Sequence, residues 1–104
     1  MRFAYNNKTA TLTVYPEGEI DQYYAGEMRS LIDNEINKRG TVSMLVLDFK
    51  NVTFMDSAGI GMILGRYKLL RLKGATLVLR NVSAAAERVL RIAGVYKLLE
   101  KNNG

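Results

Sequence analysis

Phe54-Met55-Asp56-Ser57-Ala58-Gly59-Ile60-Gly61 joins a short apolar run to an amphipathic stretch, and its reading decides the fold. Upstream, Leu45-Val46-Leu47-Asp48-Phe49 has the length and bounded apolar character of a buried strand. Downstream, Ile60, Ile63, Leu64, Tyr67 and Leu70 recur at the spacing of a helix packed on a core. Ser57 therefore stands at a helix entrance, where a hydroxyl or carboxylate satisfies unpaired backbone N–H groups. A capping serine and a chemically used serine both fit that position.

Composition narrows the chemistry. The 104 residues are 48% hydrophobic, which suits one domain over residues 1–104 with its own core. No apolar run approaches the roughly 18 residues of a membrane span, and Asn6-Asn7-Lys8 interrupts any signal-peptide pattern. A cytoplasmic protein without membrane contact is the resulting expectation. There is no cysteine and no histidine, so disulfides, a Ser-His-Asp triad and the common zinc sites are all unavailable. Ser57 lacks the G-x-S-x-G setting of a nucleophile elbow, and no phosphate loop of the G-x-x-x-x-G-K-[ST] type occurs. A non-enzyme with no cofactor and no metal is expected. The net charge of +5 raises the question of nucleic acid. Its cations are scattered, however, and the densest group, Arg66 to Lys73, interleaves with buried helix positions; no direct nucleic-acid contact is expected.

Outward from the central segment, the remaining elements follow. Phe3 to Tyr5 and Ala10 to Tyr15 alternate as strands around the turn-forming Asn6-Asn7-Lys8-Thr9, predicting a hairpin. Tyr24, Met28, Leu31, Ile32 and Ile36 predict a helix from about Tyr24 to Lys38, stopped near Gly40. Strand, helix and buried strand in succession make a right-handed parallel crossover. The helix from about Ala58 reaches Lys73, where Gly74 ends it; Ala75 to Arg80 is a further strand. Ser83 caps a short helix, Ala84 to Ala93, and Tyr96 to Glu100 reads as a short final strand. The fold class is α/β: an N-terminal hairpin joined to a mixed, mainly parallel sheet of four to five strands, packed with amphipathic helices.

The glycines admit two readings. Gly59-x-Gly61 with Gly65 evokes a dinucleotide fingerprint, but Asn51 to Ser57 separate it from the strand, and Arg80 ends the next strand where an acid belongs. Gly61 and Gly65, four apart, share a helix face with Ala58, Met62 and Leu69. Such a face either packs tightly against a neighbouring element or offers a low-relief surface to another protein, with Met62 and Leu69 as adaptable contacts. The crossover also brings Asp21 to the same end of the sheet as Asp56 and Ser57, an acidic rim around one hydroxyl at the usual functional end.

From Phe54 to Lys68 the pattern D-S-x-G-x-G-x-x-x-G-R-Y-K closely resembles the signature of bacterial anti-sigma factor antagonists, within the STAS domain family. Gly18-Glu19-Ile20-Asp21 and Gly74 to Leu79 extend the resemblance over nearly the whole chain. The resemblance implies that Ser57 is phosphorylated by a partner anti-sigma factor that is itself a serine kinase. Ala58 stands where many members carry a second serine. It further implies partner switching: the unphosphorylated form binds the anti-sigma factor and frees a sporulation sigma factor, phosphorylation releases it, and a serine phosphatase resets it. Asp21, Asp56 and Gly59 would rim the phosphosite; Ala58, Ile60, Gly61, Met62, Gly65 and Leu69 would meet the partner. The alternative is a STAS regulatory module of another partner-switching or nucleotide-binding system, normally joined to further segments.

Overall fold

Asn6 closes the first turn with its own side chain, Oδ1 accepting from the Lys8 and Thr9 amides at 3.0 and 3.4 Å. The computed structural model of the protein describes residues 1–103, with side chains described through Leu99. The turn joins β1 (Arg2–Asn6) to β2 (Thr11–Tyr15) in the expected antiparallel hairpin, Phe3 opposite Val14 and Tyr5 opposite Leu12. Pro16 has no N–H to continue the ladder, and the chain leaves the sheet to form β3 (Glu17–Ile20).

Helix α1 (Tyr24–Arg39) then returns the chain to β4 (Met44–Asp48), which pairs in parallel with β2. After β5 (Asn51–Met55) and α2 (Ser57–Leu72), β6 (Thr76–Arg80) pairs in parallel with the other edge of β4. The main sheet therefore runs β1-β2-β4-β6, mixed at the hairpin and parallel elsewhere. β4 lies between two strands, and Leu45 through Asp48 are all buried. Leu45 and Leu47, two residues apart on one face, meet Leu12, Val14 and Leu77 from the neighbouring strands in the core. Met28, Ile32 and Ile36 from α1 and Ile63, Tyr67 and Leu70 from α2 close over them.

Three features depart from the sequence expectation. Tyr96 to Glu100 is not a strand: after α3 (Ala84–Ile92), Gly94 at φ 76° turns the chain into α4 (Val95–Asn103). Val95 and Leu99, one helical turn apart, supply the buried contacts of that helix. Second, β3 and β5 form a separate two-stranded parallel ladder, with Ile20 opposite Met55 and an irregularity at Gly18/Glu19. Third, the buried stripe of α2 keeps the expected Ile63, Tyr67 and Leu70 but adds Gly59, Met62 and Arg66, while Ile60 and Leu64 pack only partly buried against the core. Met62 is thus a core residue at 5% exposure, not the open surface contact expected of it. On the same face, Arg66 Nε lies 2.9 Å from Asp33 Oδ1 on α1.

Candidate functional site

The small ladder places the site. Ile20 and Met55 are register partners at the ends of β3 and β5, and the Asp56 amide donates to the Ile20 carbonyl at 3.2 Å. The next residues, Asp21 and Asp56, consequently leave adjacent parallel strands at the same end, each leading into a helix. The juxtaposition expected of Asp21, Asp56 and Ser57 is present, but it arises from β3 and β5 rather than from the main sheet.

Each carboxylate organises a helix start. Asp21 Oδ1 accepts from the Tyr23 and Tyr24 amides, both at 3.0 Å, and the Asp21 carbonyl accepts from Ala25 N–H at 2.9 Å. Asp56 has extended backbone (φ −105°, ψ −168°) and is the N-cap of α2, its Oδ1 accepting from Ala58 N–H at 2.8 Å. Ser57 is the first helical residue. It is exposed, and its hydroxyl makes no hydrogen bond among the described residues. The capping role considered for Ser57 therefore belongs to Asp56, and the serine oxygen is left for other chemistry.

The three glycines of the motif are not equivalent. Gly59 is buried, and a Cβ there would overlap the Met55 side chain and lie 3.1 Å from Ile20 Cγ2. It lets α2 approach the β3–β5 ladder, and so supports the rim from beneath. Gly61 and Gly65 are different: a Cβ at either would have no neighbour within 4 Å. Tight packing within the chain does not account for them.

Gly61 opens onto a shallow groove of about 230 Å³ between α1 and α2, lined by Ala25, Gly26, Arg29, Ala58, Gly61 and Met62. Its α1 wall was not foreseen, although Ala25-Gly26 at a helix start carries the same small-residue signal as Gly61 and Gly65. Ile60, Gly65 and Leu69, all half-buried, do not line this groove. Its one charged wall residue, Arg29, has no hydrogen bond or ion pair among the described residues. Beneath it, burial pushes the Arg66 guanidinium below its ordinary value, Asp33 opposes that shift and Arg29 adds to it. The Arg66–Asp33 contact is close but misses hydrogen-bond alignment, so its attraction is between charges. Among the described residues no group of His, Cys, Asp and Glu is arranged to hold a metal, and no helix is long and apolar enough to cross a membrane.

The site combines a free hydroxyl at a helix N-terminus, two capping carboxylates, and a low-relief cationic groove. Chemically, an exposed hydroxyl in this setting can accept a transferred group.

Comparison with known proteins identifies the family. The STAS domain profile matches residues 3–102. An anti-sigma F factor antagonist of Paenibacillus polymyxa is 38% identical over 88 residues, 85% of this chain and 74% of the relative. An anti-sigma-B factor antagonist of Listeria monocytogenes is 33% identical over 95 residues, 91% of this chain and 82% of the relative. The structure of SpoIIAA, an anti-sigma factor antagonist, in its unphosphorylated form superposes with a TM-score of 0.70 at 27% identity, covering 86% of this chain and 80% of that one. Its phosphorylated form, from Bacillus, gives 0.69 at the same identity, covering 92% and 86%. Over nearly its whole length, this chain belongs to the STAS domain family.

Proposed function

We propose that this protein is an anti-sigma factor antagonist whose unphosphorylated form docks on an anti-sigma factor with serine kinase activity, and that phosphorylation of Ser57 ends the contact. One observation carries the reading: Asp56 takes the cap of α2, so the neighbouring Ser57 presents an unengaged, exposed hydroxyl beside the open groove. Relatives that are antagonists of anti-sigma factors, and the existence of SpoIIAA in two phosphorylation states, support it. The sporulation sigma factor proposed as the one released rests on the 38% identical anti-sigma F factor antagonist.

The mechanism is electrostatic. A phosphate on Ser57 adds about −1.5 to −2 charges at neutral pH. The N-terminus of α2 accommodates an anion well, so the domain stays folded. The partner that met a neutral hydroxyl now meets a dianion flanked by Asp21 and Asp56, and close contact is penalised. A serine phosphatase restores the hydroxyl. In this cycle the protein is a substrate and supplies no catalytic group, cofactor or metal; the setting is cytoplasmic.

The test pairs mass spectrometry with binding. Incubation with the cognate kinase and ATP should place one phosphate on Ser57, and Ser57→Ala should keep its fold and hold the anti-sigma factor in the presence of ATP. Modification chiefly at Thr53 or Ser83, or no binding by the unmodified protein, would overturn the reading.

A further inference from the structure

The second half of α2 and Leu98 of α4 form a trough toward the end of α2 opposite Ser57. It has a volume of about 510 Å³ and is lined by Leu64, Tyr67, Lys68, Arg71, Leu72 and Leu98. The α2 wall, Leu64 to Leu72, runs for about 12 Å of helix. Leucines and a tyrosine ring make up most of the surface, and Leu72 is 88% exposed at the rim.

Among the described residues, two cations stand on this apolar wall without compensation. Lys68 and Arg71, one turn apart, are exposed and have no hydrogen bond or ion pair among the described residues. No carboxylate lines the trough among the described residues. The same turn holds an unmatched donor: Tyr67 is 7% exposed, and its buried hydroxyl has no hydrogen-bond partner among the described residues. An occupant must therefore be apolar along its length and anionic at one end. The volume falls in the range of small-molecule sites. A trough of this length matches one extended acyl chain.

We infer that this trough binds a single-chain amphiphilic carboxylate, a fatty-acid-type anion, with its chain along Leu64, Leu72 and Leu98 and its head group between Lys68 and Arg71. The site is independent of the Ser57 reading. Chain length and charge should contribute separately: each methylene that becomes fully buried tightens binding by up to about fourfold, and the head group draws on the two cations.

Titration of octanoate, decanoate and dodecanoate, below micelle formation, into the full chain and followed by amide NMR tests this. Saturable shifts confined to Leu64–Leu72 and α4, affinity rising with chain length, and decanol binding at least tenfold more weakly than decanoate are expected. Lys68→Gln with Arg71→Gln, both exposed, should bring decanoate down to the level of decanol without altering the thermal melt. Absence of saturable shifts, shifts centred elsewhere, or equal affinity of decanoate for the double variant would overturn the proposal. Retention on phosphatidylglycerol vesicles without decanoate binding would also overturn it, in favour of a membrane-surface patch.

Discussion

Asp56 and Ser57 are both competent caps by residue type, and only the backbone decides between them. The extended conformation falls on Asp56, so the carboxylate takes the Ala58 amide and the hydroxyl remains free. The sequence made the pair legible as a helix entrance but could not divide the labour, because capping depends on which residue leaves the helix first. This division predicts how substitutions separate folding from recognition. Asp56→Ala should lose the cap, about 0.5–2 kcal/mol, and lower the melting temperature. Asp56→Asn retains an acceptor oxygen and should melt close to the parent. If the Asn variant is also phosphorylated or bound poorly, the negative charge serves the partner; normal partner chemistry would confine Asp56 to capping.

Helix α2 carries two kinds of glycine, which the spacing alone did not distinguish. Gly59 lies under Met55 and Ile20, while Gly61 opens onto the groove toward Gly26. Gly59→Ala should therefore overpack, costing about 1–3 kcal/mol in a urea denaturation curve, offset in part by better helix propensity. Gly61→Arg meets no neighbour and should leave stability unchanged or raise it by about 0.5–1 kcal/mol. On the proposed docking face the same change should abolish most binding in calorimetry with the anti-sigma factor. Unchanged affinity would remove the groove from the interface. The apolar pattern identified Ile63, Tyr67 and Leu70 but not Arg66, whose charge carries no apolar signal. Its burial depends on Asp33, which lies on another helix at no readable spacing. Asp33→Ala would leave a guanidinium with 8% side-chain exposure uncompensated. A loss of about 1–3 kcal/mol is expected, discounted from a fully buried pair because Asp33 is partly solvated. A much smaller loss would mean that water already satisfies Arg66.

At the scale of the whole molecule, the hairpin, the parallel crossover and three helices were legible because their apolar periods run long enough to identify. The β3–β5 ladder was not: Gly18 breaks one strand, and Thr53 and Phe54 are both exposed, which destroys alternation in the other. The last helix was misread because a short apolar segment fits either period, and the described burial of Val95 and Leu99 is what separates them. β4 ends on a buried acid that ties it to the end of β6 and to the turn before β5. Asp48 is 3% exposed and accepts from the Lys50 amide at 3.0 Å, Arg80 Nε at 3.2 Å and Asn81 Nδ2 at 3.1 Å. Burial pushes this carboxyl up, but Asn81, the Lys50 amide and Arg80 together outweigh it and hold the group below its ordinary value. A carboxyl depressed in the folded state binds its proton more weakly there than in the unfolded chain. Its stabilisation is complete above the unfolded value of about 4 and is lost as pH falls through the lower folded value. Asp48→Asn should therefore cost about 1–3 kcal/mol at pH 7, since Oδ1 serves the Lys50 amide and Oδ2 serves Arg80, and an NH2 in place of either oxygen faces a donor. Denaturation curves should show the difference from the parent shrinking as pH falls below about 4. A constant difference through acid would mean that hydrogen-bond geometry alone, and not the charge on Asp48, ties the end of β4 to β6.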